Sequence, residues 1–201
     1  MSSHSKTNRT LELARRAGVL RSRDLLRHGI QRQYLAILTR CGKLHRAGRG
    51  LYVPADANLS ENHSLAEATK RVPNGVVCLL SALRFHNLGT QLPSEVWMAI
   101  DRKAWAPKMN GIRLRIIRFT GSALTSGIER HKVGGVTVKV FSPAKTVADC
   151  FKFRNRIGLD VALEALRECW RGRRATIDEI ANYARICRVA NVMRPYMESV
   201  V

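Results

Sequence analysis

The chain has 201 residues, enough for one compact domain or two small ones, and 45% of them are hydrophobic, as a packed core requires. Its 35 Lys and Arg against 15 Asp and Glu leave a formal net charge of +20, which selects for polyanionic partners: DNA, RNA or an anionic surface. The longest uninterrupted apolar run, residues 75–80, is far short of the roughly 20 residues of a membrane span, and the polar residues 1–8 lack the apolar centre of a signal peptide, so a cytoplasmic protein with no membrane partner is expected.

Residues 10–17 carry Leu11, Ala14 and Ala17 at helical spacing, with Gly18 as the stop. Ser22 reads as an N-cap ahead of Asp24-Leu25-Leu26, and Gly29 breaks the chain again. Residues 31–41 repeat Tyr34, Leu35, Leu38 and Cys41 helically, and Gly42 closes that stretch. Leu44-His45-Arg46, a turn at Ala47-Gly48-Arg49-Gly50, and Leu51-Tyr52-Val53 read as a β-hairpin. Residues 54–64 (PADANLSENHS) read as a linker, which divides the chain into residues 1–55 and 56–201.

The second segment opens with a helix at 64–71 stopped by Pro73-Asn74-Gly75; residues 76–86 read as a short strand running into a helix or as one buried helix, with a helix from about Leu79 favoured. Residues 95–101 (EVWMAID) and 112–120 (IRLRIIRFT) read as strands, as do 128–133 and 136–141, joined by the two-residue turn Gly134-Gly135. Ser142-Pro143 starts a helix to about Arg154, residues 159–170 form another, Thr176-Ile177-Asp178-Glu179 is a capping box for a third, and 191–199 a last one containing Pro195. The expected fold class is α+β: an N-terminal winged helix-turn-helix followed by a mixed α/β domain with antiparallel strands and C-terminal helices.

Helix, helix, tight turn, helix, hairpin is the order of a winged helix-turn-helix. Leu25, Leu26, Ile30, Leu35 and Leu38 are its expected core, and the third helix would face the major groove with Gln31, Arg32, Gln33 and Arg40. Gln pairs bidentately with adenine and Arg with guanine, so this surface has the chemistry of base readout. The wing adds Arg46 and Arg49, and Arg21 and Arg23, with Arg15, Arg16 and Arg27, suit phosphate contacts or a solvated face. Residues 1–57 hold 12 Lys and Arg against 3 Asp and Glu, so positive charge is concentrated where the motif lies. Double-stranded DNA is the expected partner.

The chain resembles the AbiEi antitoxins of type IV toxin–antitoxin systems. The resemblance rests on Gly29-Ile30, Gly42-Lys43-Leu44 and RGLYVP at 49–54, on LLSALRFHNL at 79–88 and EVWMAI at 95–100, and above all on SPAKTVADC at 142–150. It implies an N-terminal domain that binds inverted repeats in its own promoter and represses transcription; a monomer or weak dimer is expected. It also implies a C-terminal domain, marked by Lys145, Thr146 and Asp149, that counters a nucleotidyltransferase-like toxin without a stable complex.

Apart from the resemblance, the second segment offers little chemistry. Asp101-Arg102-Lys103 after a strand superficially matches a nuclease pattern, but no partner carboxylate is well placed in the sequence. Lys145 and Asp149, four apart on a helix, read either as a simple ion pair or as a contact surface. His86 reads as a hydrogen-bonded core residue. Arg113, Arg115 and Arg118, and the run Arg171-Gly172-Arg173-Arg174, either extend a nucleic-acid footprint or are solvated surface. The cysteines Cys41, Cys78, Cys150, Cys169 and Cys187 include no C-x-x-C and the histidines no metal spacing, so no metal, cofactor or disulfide framework is expected. The expected function is a non-enzymatic DNA-binding antitoxin and autorepressor; the alternatives are a nuclease targeted by the winged helix, or an RNA-binding or protein-docking module.

Overall fold

The computed structural model describes residues 2–17, 19–48, 50–55, 61–105 and 112–200. They form two compact units, one of Met1–Pro73 with Pro107–Arg113 and His131–Val138, the other of Asn74–Ala106, Leu114–Arg130 and Lys139–Val201. The arrangement is mixed α and β, and among the described residues no helix is long and apolar enough to cross a membrane.

In the first unit, α1 spans Ser2–Ala17, starting eight residues before the expected position. The strand β1 (Leu20–Arg21) leads directly into α2 (Ser22–Arg27). The cap differs from expectation: Arg21 is the N-cap, and its backbone N–H donates to Asp24 Oδ2 at 3.0 Å, so the carboxylate three residues on satisfies the open end. Ser22 instead donates through its hydroxyl to the Gly50 carbonyl, 3.3 Å away, alongside its own backbone N–H at 3.0 Å. Gly29 adopts φ +64°, which an L side chain resists, and α3 follows at Gln33–Arg40. The strands β2 (Leu44–Gly48) and β3 (Leu51–Pro54) form the hairpin, with a bulge between Arg46 and Gly48. β1 adds antiparallel to β3, giving the order β1-β3-β2. The core is Ala14, Leu20, Leu25, Ile30, Tyr34, Leu35, Leu38 and Leu44. Leu26, expected inside, is 57% exposed, because its neighbour Leu25 already takes the inward position of this short helix. α4 (Glu61–Arg71) follows, and its Lys70 lies 3.7 Å from Asp24.

The second unit is built on a five-stranded sheet of order β6-β5-β4-β8-β7, comprising β4 (Val76–Val77), β5 (Val96–Asp101), β6 (Leu114–Phe119), β7 (Ile128–Val133) and β8 (Val136–Phe141), of whose last two strands it holds Ile128–Arg130 and Lys139–Phe141. β4 and β5 run antiparallel, but β4–β8 and β5–β6 are parallel, so the sheet is mixed where antiparallel strands were expected. The physical reason is legible in β5: its first five residues are all buried, the continuous apolar run of a strand covered on both faces. The β7–β8 hairpin turns at Gly134-Gly135, both at positive φ, as a primed two-residue turn demands.

Helices α5 (Leu79–His86), α6 (Ser122–Thr125), α7 (Pro143–Lys152), α8 (Arg154–Ile157), α9 (Leu159–Arg171), α10 (Ile177–Ile186) and α11 (Ala190–Val200) complete the unit. α7 is the central one, packing on α5, α9, α10 and α11, with every residue from Ala144 to Phe151 buried. Its start is as expected: the Ser142 hydroxyl accepts from the Lys145 N–H, and Pro143 occupies the first turn. The capping box of α10 also forms, with Thr176 and Glu179 bonding reciprocally.

Candidate functional site

α3 divides its residues cleanly. Tyr34, Leu35 and Leu38 face the core, while Gln33, Ala36, Ile37 and Arg40 are exposed. Gln33 and Arg40 are seven residues apart, nearly two turns, so they share a face about 10 Å apart along the axis. Gln31 and Arg32 are exposed too, but they lie in the turn before the helix, with Arg32 at the N-cap position and no side-chain cap. The carbonyls of Gln31 and Arg32 accept from the N–H groups of Tyr34 and Leu35, which fixes how this pair enters the helix.

The other arginines expected on this surface differ in availability. Arg23 and Arg46 are exposed. Arg21 is half-buried: its backbone sits in β1, and burial pulls its guanidinium pKa below the usual value, with Arg23 adding to the effect and Asp24 opposing it. Arg49 lies outside the described residues.

In the second unit, Lys145, Thr146 and Asp149 are brought together, but none is exposed. Lys145 Nζ lies 2.6 and 2.5 Å from the two Asp149 carboxylate oxygens. Its charge also lies over the rings of Phe141, at 4.1 Å, and Phe119, at 5.0 Å. The Cys187 thiol donates to Asp149 Oδ1 at 3.3 Å, and the Thr146 hydroxyl donates to the Phe141 carbonyl at 3.1 Å. Burial raises the Asp149 pKa, against the lowering influence of Lys145 and of the Cys187 hydrogen bond. The pair is therefore an internal ion pair, and the contact-surface reading does not hold for side chains that reach no solvent. Gly127 makes room for it: a Cβ there would stand 2.8 Å from Lys145 Cβ.

Several of the remaining sequence candidates have structural partners. Asp101 Oδ1 accepts from the Lys103 backbone N–H at 2.8 Å, so it closes a turn rather than facing a metal. Among the described residues no group of three or more His, Cys, Asp or Glu is placed to hold a metal ion. His86 Nε2 lies 2.7 Å from the Phe141 carbonyl, the hydrogen-bonded role expected of it. Arg115 pairs with Glu95 and stacks over Trp97 at 4.9 Å, while Arg118 donates to the carbonyls of Asp101, Arg102 and Ala104.

Residues 8–55 match the family described as transcriptional regulator, AbiEi antitoxin. The whole fold is similar to the crystal structure of the RV2827C protein from Mycobacterium tuberculosis, with a TM-score of 0.60 and 15% identity over 89% of this chain and 71% of that one. No curated protein matches the chain.

The matched segment runs from within α1 to β3, and includes the exposed face of α3 and the hairpin. Sequence reasoning missed two members of that face. Ala36 and Ile37 were passed over because apolar residues in a helix are read as core; the signal was that Tyr34, Leu35 and Leu38 already fill the inward positions, leaving Ile37, 42% exposed, on the outside. It also missed β1, since two residues are too short to show a period of two.

Proposed function

We propose that residues 1–55 form a winged helix-turn-helix DNA-binding domain, that the protein is a DNA-binding antitoxin and transcriptional autorepressor of a type IV toxin–antitoxin operon, and that α3 is its recognition helix. The observation that carries this reading is the exposed surface of α3 and the turn before it, within the segment matched by the AbiEi family: Gln31 and Arg32 in the turn and Gln33, Ala36, Ile37 and Arg40 on the helix all face solvent, while the other face of the helix is packed. In this reading Gln31, Arg32 and Gln33 enter the major groove at the helix N-terminus and contact base edges, while Ala36 and Ile37 offer apolar surface to thymine methyl groups. Arg23, Arg46 and Arg49 hold the sugar–phosphate backbone, and Arg21 contributes least because its side chain is half-buried.

Residues 56–201 would then supply the antitoxin function against a nucleotidyltransferase-like toxin, without a stable complex, and Lys145, Thr146 and Asp149 would serve it indirectly, by holding α7 in the core. A monomer or weak dimer would meet inverted half-sites.

Anisotropy titration of a labelled duplex from upstream of the reading frame, against a shuffled duplex at the same salt, tests the reading. Specific binding is expected to exceed non-specific binding, and Arg32→Ala to weaken only the specific complex by about 1–3 kcal/mol. Equal affinity for both duplexes would overturn specific repression, and an equal loss on both would reassign Arg32 to the backbone.

A further inference from the structure

The second unit carries a cleft of 590 Å³ where α9 ends and α10 begins, lined by Trp170, Arg171, Arg173, Arg174, Ala175, Thr176 and Glu179. That volume is in the range of small-molecule sites. Its wall combines one half-buried indole with three exposed guanidinium groups. The single carboxylate in it is already engaged: Glu179 accepts from the Thr176 backbone N–H at 2.8 Å and from its hydroxyl at 3.1 Å. The positive charge of the cleft is thus in excess.

These arginines differ from Arg115 and Arg118 of the same unit. Arg115 and Arg118 are spent on internal partners, a carboxylate and an indole for one and three carbonyls for the other. No described residue takes a side-chain hydrogen bond or ion pair from Arg171, Arg173 or Arg174. The backbone that presents them is costly. The chain leaves α9 through Arg173 N–H to Trp170 O at 3.0 Å and Arg174 N–H to Cys169 O at 2.9 Å, a helix-ending turn that needs a left-handed residue. Glycine is the usual occupant, yet this chain puts arginine there, at φ +50°. Gly172, one position earlier, answers a different need: a Cβ there would meet the Glu168 carbonyl oxygen at 2.9 Å. Backbone strain of this kind, held at the rim of a cleft, is a recurrent mark of a working site.

We propose that this cleft binds a nucleoside phosphate, with the base against Trp170 and the phosphate on Arg173 and Arg174. Aromatic rings hold bases through stacking that every base can make, and guanidinium forks match phosphate oxygens two at a time. The ligand is either a free nucleotide or one unit of a single strand; the chemistry at the cleft is the same. The proposal does not depend on the DNA-binding reading of the first unit.

Fluorescence anisotropy at physiological salt, with mant-ATP in one arm and a fluorescein-labelled single-stranded oligouridine in the other, tests it. Saturable binding of at least one probe is expected, and which one saturates identifies the source. Trp170→Ala should weaken that binding by about tenfold or more, while Trp170→Phe retains it. The double variant Arg173→Gly/Arg174→Gln should also lose about tenfold or more without a lower melting temperature, because glycine relieves the left-handed strain. Arg32→Ala in the first unit should leave both probes unaffected. The proposal falls if neither probe saturates or if the arginine-loop double variant binds like wild type. It also falls if Trp170→Ala folds and binds unchanged, or if orthophosphate displaces the probe as well as unlabelled nucleotide does. A loss from Arg32→Ala with none from the loop variant would equally overturn it, by moving the binding to the first unit.

Discussion

α3 and α7 look alike in sequence, each a short helix of polar and apolar residues with basic side chains, yet they place their charge in opposite directions. α3 turns Gln33 and Arg40 outward and buries only Tyr34, Leu35 and Leu38. α7 buries eight successive residues and takes Lys145 and Asp149 in with them. The environment decides which is possible: α3 has one covered face, whereas α7 is surrounded by four helices in the middle of its unit. The lesson is that the most distinctive motif in a chain need not be its working surface. SPAKTVADC is the most specific stretch of this sequence, and its charged pair is architecture; the plainer QRQ of residues 31–33 is exposed.

Breaking the inward pair should have the largest effect. Asp149→Ala leaves the Lys145 ammonium buried without a counter-charge and is expected to destabilise the second unit by about 3–5 kcal/mol, read as a lower urea midpoint. Replacing both partners, as Lys145→Met/Asp149→Leu, should recover most of that loss, since the penalty lies in the orphaned charge. A single variant that costs less than about 1 kcal/mol would mean the pair is not sealed from water.

The thiols around that pair extend the test to pH. Burial pushes Cys187 up to about 12, with Asp149 reinforcing the shift, and pushes Cys169 up to about 11. An unfolded thiol ionises near the ordinary 9.0 while the folded one keeps its proton, so the unfolded state binds fewer protons above that point and stability falls as pH rises. The urea midpoint should therefore drop between pH 9.0 and about 11, and Cys187→Ala should flatten that slope. At pH 8, a thiol reagent should label the exposed Cys41 and spare the four buried cysteines until the protein unfolds.

The outward face should show the reverse pattern. Ile37→Ala is expected to change stability by no more than about 0.5 kcal/mol, because the side chain is partly solvated. It should weaken specific duplex binding by about 1 kcal/mol if the sec-butyl side chain meets a thymine methyl. A larger loss of stability than of binding would make Ile37 a packing residue and erase the contrast with α7.

Much of the fold was legible in the sequence because its signals were local. The Ser142-Pro143 start, the Thr176–Glu179 box and the Gly134-Gly135 turn are each decided by neighbours within four residues. What was not legible was non-local. The parallel pairing of β5 with β6 depends on where two strands meet in space, and the burial of Lys145 depends on four helices closing over it. The Ser22 hydroxyl was read as a cap because nothing nearby announces Gly50, 28 residues on, as its acceptor. The site followed the same rule: which residues of α3 face out could be read from its period, but Arg21's partial burial could not.

The two-residue strand β1 has a consequence for cooperativity. Leu20 and Arg21 pair with Tyr52 and Leu51 of the hairpin, and the next residue, Ser22, is the first of α2. A strand that short has no stability of its own and exists only while both neighbours are in place. The hairpin and the start of α2 therefore open as one foldon, and a duplex that seated the hairpin would slow amide exchange at Leu51 and at Ser22 together.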